Sequence, residues 1–371
     1  MVTGTLGQEN YGIIDCDVHQ SITGFDELKP YLPRGMWYRL EGMGGYGVGS
    51  GGVFPGPTYP SPVGILREDS KPANGIPGSD ADFTIKQLLD PYGIEYAILT
   101  GALLSLNSIA NADFAAALAS ASNDWTAENW LNRDTRFKGS IIVAPQDPKL
   151  AAKEIDRLAS NKNFVQVVTG GASKMPFGDR YYEPMLEACE RNGLPFAIHP
   201  GCEGDGATHS VTALGYVQHY IERHSALPQT AMTHLITMVF QGAFEKFPNL
   251  KFIIMEYGVA WMPHVMWRMD KLYKGLRPEV PWLRKLPSQY VKDHVSMSSQ
   301  PIEEPEKPIH LEQIIDMLGT ESMLMFASDY PHWDFDSPRM ALNGIRNKAL
   351  KRRILRQNAL ELYGLPDKVH V

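Results

Sequence analysis

The chain has 371 residues, of which 43% are hydrophobic and 21% charged, as in ordinary globular proteins. Its formal net charge of −7 gives no electrostatic reason to expect a nucleic acid or an anionic membrane surface as partner. Three scattered cysteines exclude a disulfide framework, and no apolar run reaches the roughly 18 residues of a membrane span. The first residues, MVTGTLGQENYG, lack the basic and apolar regions of a signal peptide, so we expect a cytoplasmic protein.

Short apolar runs alternate with longer helical stretches along the chain, which predicts a parallel sheet with helices between its strands. The runs are almost continuously apolar, as expected of strands that are buried on both faces. No Gly-x-Gly-x-x-Gly pattern follows the first run, so eight such units favour a (β/α)8 TIM-like barrel over a doubly wound sheet. The predicted strands are residues 12–18, 95–99, 139–143, 165–168, 195–199, 252–256, 294–297 and 324–329.

Residues 22–80 interrupt this pattern with a long segment rich in Gly, Pro and Tyr. A loop of this length inside one domain is functional or disordered. Because it follows the first strand, it should emerge at the carboxyl end of the barrel, where such barrels place their active sites. We therefore interpret 1–371 as one barrel domain in which 22–80 is a lid or an interface arm, and we expect a homo-oligomer, either a dimer or a tetramer.

An acid and an imidazole end the first predicted strand, in the order Asp17-Val18-His19. Side chains two positions apart on a strand point to the same face, so Asp17 and His19 form half of a candidate metal site. The other half should come from later strand ends. His199, Glu256 and Asp329 are suitable residues that lie at such ends.

These motifs resemble the amidohydrolase superfamily, in its branch of proteins like aminocarboxymuconate-semialdehyde decarboxylase. The matching elements are Asp17-x-His19, His199, FPNLKFIIMEYGVAWMP and FASDYPHWDFDSP, and the resemblance extends from about residue 11 to 365. It implies one divalent metal ion, with zinc expected first and manganese as a substitute, bound by Asp17, His19, His199 and Asp329. The predicted fourth strand, FVQVVTGG, offers no ligand for a second ion.

Two further residues are candidates for chemistry. Many members of the superfamily have a histidine on strand six, where this chain has Glu256. Glu256 could hydrogen-bond a metal-bound water or orient a ligand, or it could be a structural carboxylate. His332, three residues after Asp329, could donate a proton to substrate or hold Asp329, or simply pack in its loop. His224, in a helical stretch, is expected to be a packing or surface residue.

Three functions are open at this point. The first is a metal-dependent hydrolase of a small aromatic or cyclic substrate, in which a metal-activated water attacks an amide, lactone or ester and Asp329 moves the proton. The second is a metal-dependent, non-oxidative decarboxylase of an aromatic or muconate-type acid. The third is a non-catalytic barrel, which the buried acids and imidazoles disfavour because they would lack partners. Glu256 in place of histidine favours hydrolysis, so we predict the hydrolase.

Overall fold

The computed structural model describes residues 12–42, 66–101, 103–204, 208–210, 212–215 and 217–367. Its core is one sheet of eight parallel strands that pair in sequence order. The strands are β1 (Ile13–Val18), β2 (Ile94–Leu99), β3 (Phe137–Ile142), β4 (Phe164–Gly170), β5 (Phe196–His199), β6 (Phe252–Ile254), β7 (Val295–Ser298) and β8 (Leu324–Met325).

The sheet returns on itself to form a barrel. The Cys16 amide of β1 donates a hydrogen bond to the Phe326 carbonyl just after β8, at 2.9 Å. Further along, Val18 forms a parallel bridge with Tyr330. Every residue of β2 and β4 is buried, as a strand with both faces covered requires. The predicted (β/α)8 TIM-like barrel is confirmed.

Helices follow the strands and cover the outside of the barrel. Several begin at side-chain caps, for example Asp147, which accepts the amides of Lys149 and Leu150 at the start of the fifth helix. The α-helices are α1 (Arg34–Gly42), α2 (Ala81–Thr84), α3 (Asp90–Tyr92), α4 (Ala112–Thr126), α5 (Pro148–Leu158), α6 (Glu183–Arg191), α7 (Tyr220–Ala226), α8 (Pro228–Phe240), α9 (Ala243–Lys246), α10 (Met262–Leu276), α11 (Pro287–His294), α12 (Pro308–Met317), α13 (Lys348–Arg352) and α14 (Asn358–Tyr363). Among the described residues, none of these helices is long and apolar enough to cross a membrane.

The predicted insertion 22–80 is described only in part, since 43–65 lie outside the described residues. Its returning end reaches the mouth of the barrel, where Leu66 bridges His332. The Arg67 amide donates to the Pro331 carbonyl at 2.8 Å, and the Arg67 guanidinium lies 4.4 Å from the centre of the Phe335 ring. The single domain and the lid or interface role remain predictions.

Candidate metal centre

Five buried side chains converge at the carboxyl end of the barrel. Each offers one nitrogen or oxygen atom, and these five atoms lie within 4.8 Å of one another. They come from four different strand ends, those of β1, β5, β6 and β8. The converging residues are Asp17, His19, His199, Glu256 and Asp329.

The backbone turns sharply to aim two of these side chains inward. β6 ends at Ile254 and β8 at Met325, so Glu256 and Asp329 lie beyond the strands and not at the last position of the predicted strands 252–256 and 324–329, which were too long. Both residues have a positive φ, 59° and 58° respectively, which residues other than glycine rarely adopt. Surrounding contacts hold each conformation. The Glu256 amide donates to the Ser298 hydroxyl at 2.9 Å, and the Asp329 amide donates to the Asp17 carbonyl at 3.1 Å. Strain of this kind concentrates at functional sites.

The distances between the converging atoms suit a shared ion. His19 Nε2 lies 3.3 Å from Asp17 Oδ1 and 3.0 Å from Asp329 Oδ1, and His199 Nε2 lies 3.2 Å from Asp17 Oδ2. Neighbouring ligands of an ion with bonds of about 2.1 Å are separated by roughly 3 Å. Four buried atoms, His19 Nε2, His199 Nε2, Asp17 Oδ2 and Asp329 Oδ2, have no hydrogen-bond partner among the described residues. Unsatisfied buried donors and acceptors are costly, so their convergence fits a cation.

Hydrogen bonds to residues outside this set of five orient two of its side chains, His199 and Asp17. His199 Nδ1 lies 2.8 Å from the Pro200 carbonyl, which can only accept, so Nδ1 carries a proton and Nε2 of the neutral ring has a free lone pair. The Thr100 hydroxyl, directly after β2, donates to Asp17 Oδ1. Thr100 was not predicted, although a polar residue at a strand end is a signal that could have identified it.

The electrostatics of the centre demand positive charge. Burial raises the pKa of the Glu256 carboxyl, but the adjacent His199 more than offsets this and holds that pKa well below its usual range. Burial likewise lowers the pKa of His19, yet the carboxylates of Asp17 and Asp329 raise it to about 9. Clustered buried carboxylates therefore require a cation, which imidazolium protons or a divalent ion can supply.

His332 lies where the sequence places it, next to Asp329. Its Nδ1 is 2.7 Å from Asp329 Oδ1, and its ring meets the His19 ring edge-on with 4.5 Å between their centres. A ring nitrogen that donates to a carboxylate fixes the direction of that carboxylate. His332 is therefore placed to hold Asp329 at the edge of the centre, and its role stays a prediction.

Two residues near Glu256 were missed. His224, which was expected to pack or to lie on the surface, points inward from α7, and its Nε2 is 3.6 Å from Glu256 Oε1. The same nitrogen is 3.5 Å from Asp334 Oδ2. Burial raises the pKa of Asp334 to about 6, and the charges of Asp329 and Glu256 add to the effect. Asp334 belongs to the FASDYPHWDFDSP motif, but no sequence signal marks His224.

The Amidohydro_2 family of amidohydrolases matches residues 14–365. The chain belongs to this family. The recognition made from the four motifs is thus confirmed, and the protein is an enzyme of the amidohydrolase family.

Two curated relatives are named for the same activity. The chain is 27% identical over 266 residues to a gamma-resorcylate decarboxylase from Polaromonas sp. (strain JS666 / ATCC BAA-500), covering 67% of this chain and 77% of the relative. It is 24% identical over 302 residues to a gamma-resorcylate decarboxylase from Rhodococcus jostii (strain RHA1), covering 75% and 86%.

A solved structure with a similar fold is dihydroxybenzoic acid decarboxylase from Polaromonas sp. JS666, with bound manganese and the inhibitor 2-nitroresorcinol. Its TM-score is 0.66 at 21% identity, covering 95% of this chain and 97% of that one. At this level of identity the likeness establishes the fold, which agrees with the barrel described above.

The predicted hydrolase was wrong, because these amidohydrolase relatives are named as decarboxylases. The alternative reading, loss of CO2, is the better supported one. The argument for hydrolysis assumed that Glu256 in place of a strand-six histidine deprives the site of an imidazole. In the structure Glu256 lies between His199 and His224, with its carboxylate oxygens 2.9 Å and 3.6 Å from their Nε2 atoms. An imidazole is therefore present on that side of the site after all.

Proposed function

We propose that this enzyme is a metal-dependent, non-oxidative decarboxylase that releases CO2 from a small aromatic carboxylic acid. The observation that carries the proposal is the buried set of acids and imidazoles at the barrel mouth. Its support is that similar curated members of the family are named gamma-resorcylate decarboxylases. The predicted small-molecule partner thus becomes an aromatic acid.

Four of the five converging side chains each have a buried atom without a hydrogen-bond partner among the described residues, which supports the ligand set predicted from the sequence. These four are Asp17, His19, His199 and Asp329. When bound, a divalent cation supplies positive charge that holds the oxygens of an anionic substrate and stabilises negative charge on its ring. Two carboxylates among four ligands suit manganese, which is also bound in the Polaromonas decarboxylase structure. Metal analysis of the purified protein decides between manganese and the predicted zinc.

The other site residues prepare the centre for this reaction. Thr100 fixes Asp17, and His332 fixes Asp329, so two carboxylates keep their direction when substrate enters. Burial excludes water and strengthens every charge interaction inside the site. The overall reaction replaces a ring C–C bond with a C–H bond, so an acid must also lie near that ring carbon. Glu256 lies between the imidazoles of His199 and His224 and orients both of them.

The proposal is tested with a panel of hydroxybenzoates incubated with the manganese-loaded enzyme. We expect CO2 and the decarboxylated phenol to form in equal amounts from at least one acid, and chelator-treated enzyme to form neither. The Asp17→Asn variant, which loses a charged donor, is a matched control and should be inactive. A fully loaded wild-type enzyme that releases CO2 from none of these acids would contradict the proposed function.

A further inference from the structure

His224 presents an unused nitrogen to the interior of the site. Its side chain is only 16% exposed, although it comes from a helix outside the barrel. Nε2 is 3.6 Å from Glu256 Oε1 and 3.5 Å from Asp334 Oδ2, beyond the usual length of an N–H···O bond. This atom has no hydrogen-bond partner among the described residues. A buried donor held between two acids but bonded to neither has room to bond a third atom.

The fold holds this imidazole in place. Arg223, the residue before His224 on α7, donates from Nη2 to Glu203 Oε2 at 2.7 Å, and both side chains are buried. Glu203 is itself anchored, since it accepts from the Gly201 amide at 3.0 Å and from the Tyr257 hydroxyl at 3.3 Å. Through this network the loop after β5 and the residues after β6 fix α7. Rigid support of this kind is what a reacting side chain needs.

Each of the other imidazoles around the centre has one ring nitrogen directed at the centre or hydrogen-bonded to one of its carboxylates. His19 Nε2 and His199 Nε2 face the carboxylates of the centre, and His332 Nδ1 is hydrogen-bonded to Asp329. We propose that His224 is a catalytic residue whose Nε2–H group donates the proton that replaces CO2 on the ring carbon of the substrate. This inference rests on the proposed decarboxylase function and names the acid which that function requires.

The step balances without any further reactant. The bond between the ring carbon and the carboxylate carbon breaks, its electron pair stays on the ring carbon, and CO2 leaves. The Nε2–H bond of the protonated His224 then breaks, a new ring C–H bond forms, and the imidazole becomes neutral. Solvent reprotonates the imidazole before the next turnover. Proton transfer from a positioned side chain typically contributes 10²–10⁴-fold to a rate.

The surroundings of His224 fit this role. Tyr220 and Trp333 flank its ring, with 5.6 Å and 6.1 Å between ring centres, and they offer flat apolar surface for an aromatic ring. Burial lowers the pKa of His224, but Glu256 and Asp334 more than offset this and raise it above the usual value. These two carboxylates therefore favour the protonated form of the imidazole.

The test uses manganese-loaded enzyme and a hydroxybenzoate that the wild type decarboxylates. His224→Gln keeps a side chain of similar reach but cannot act as an acid, and His224→Ala leaves space for added imidazole. His264→Gln, at an exposed position on α10, is the control. Three quantities are measured: CO2 release, metal content, and exchange of the ring hydrogen of the phenol product for deuterium in D2O. This hydrogen exchange requires proton transfer at the ring carbon but no cleavage of a C–C bond.

We expect His224→Gln to lower both CO2 release and hydrogen exchange at least 100-fold, with metal content and KM within about 3-fold of the wild type. Added imidazole should raise CO2 release by His224→Ala at least 10-fold, and the His264→Gln control should match the wild type. CO2 release and exchange within about 3-fold of the wild type in His224→Gln would overturn this inference alone. A wild type that decarboxylates no acid of the panel would overturn the proposed function and this inference with it.

Discussion

Asp329 combines three constraints in one residue. Its backbone is held at a φ of 58°, its amide donates to the Asp17 carbonyl, and its Oδ1 is bonded to His332. Its Oδ2 remains without a hydrogen-bond partner among the described residues. Side chains held this tightly have little freedom to relax, so small chemical changes here should have large effects on activity.

Replacement of Asp329 by asparagine tests this directly. The amide keeps the shape of the side chain but removes its negative charge, so it binds a cation weakly. We expect Asp329→Asn to fold normally and to lose at least 100-fold in CO2 release, with reduced metal content measured by elemental analysis. Wild-type activity in this variant would show that Asp329 has no role in the centre. His332→Gln can still hydrogen-bond Asp329, so it should lose less CO2-releasing activity than Asp329→Asn.

A variant of Glu256 distinguishes a role in binding the ion from a role in the reaction. Its Oε2 lies 2.9 Å from His199 Nε2, whereas its Oε1 faces His224. We expect Glu256→Gln to lower kcat by at least 10-fold while metal content stays at the wild-type level. If the metal content falls with kcat, Glu256 is a ligand and the four-residue ligand set is wrong.

A buried histidine away from the centre makes stability depend on pH. His234 on α8 accepts the Phe177 amide at Nδ1 and lies 2.7 Å from the Gly171 carbonyl at Nε2, so the folded protein holds it neutral. Burial lowers its pKa from 6.5 to about 4. The unfolded chain therefore binds more protons than the folded one between these values, and stability is lost as the pH falls through that window.

We expect His234 to lower the free energy of unfolding by roughly 3 kcal/mol at pH 4, relative to pH 7. His234→Gln can make both hydrogen bonds without titrating, so the difference in unfolding free energy between variant and wild type should change by about that amount across the window. Urea unfolding at several pH values measures it. A difference that stays constant from pH 7 to pH 4 would contradict the assignment.

At the level of elements, the sequence predicts the eight strands but not the turns that follow two of them. Continuous apolar runs identify strands because both faces are buried, and the predicted strand 165–168 lies inside the observed β4. The positions of Glu256 and Asp329 depend on positive φ angles beyond β6 and β8, which no periodicity encodes. They were still found because each follows its strand closely.

The helical stretch after β5 shows where sequence reasoning stops. Hydrophobic pattern predicts helix there, and α7 and α8 form, divided next to Pro228. Contacts outside the helix hold α7 in its orientation, among them the ion pair of Arg223 with Glu203. Because that contact depends on tertiary packing, His224 could not be distinguished from a surface histidine by sequence alone.

This ion pair should therefore carry measurable energy. Removing one member of a buried pair leaves the other charge uncompensated, at a cost of about 3–5 kcal/mol. We expect Arg223→Met to lower the thermal midpoint clearly, and the double variant with Glu203→Gln to lower it less than the sum of both single changes. Arg191→Met, which breaks an exposed pair with Asp156, is the matched control and should change little. Additive effects of Arg223 and Glu203 would contradict their coupling.

For the whole molecule, the converging side chains join the first strand of the barrel to its fifth, sixth and eighth. Three buried carboxylates in one place repel one another unless a cation lies among them. An ion that binds only the folded state stabilises it by about 2.7 kcal/mol at a hundredfold excess over Kd. For a chain of 371 residues, that predicts a rise of roughly 3 °C in thermal midpoint.

We therefore expect chelator to lower the midpoint of the wild type and manganese to restore it. Chelator and manganese should hardly change the thermal midpoint of Asp17→Asn, because that variant has lost a negative charge and a carboxylate oxygen that would bind the ion. Scanning calorimetry with and without manganese measures the shift, and His264→Gln serves as a variant that should respond like the wild type. A wild-type midpoint that is indifferent to chelator and to manganese would show that the five side chains are held together by their own protons. The barrel mouth would then be a network of ion pairs, and no metal chemistry could be assigned to it.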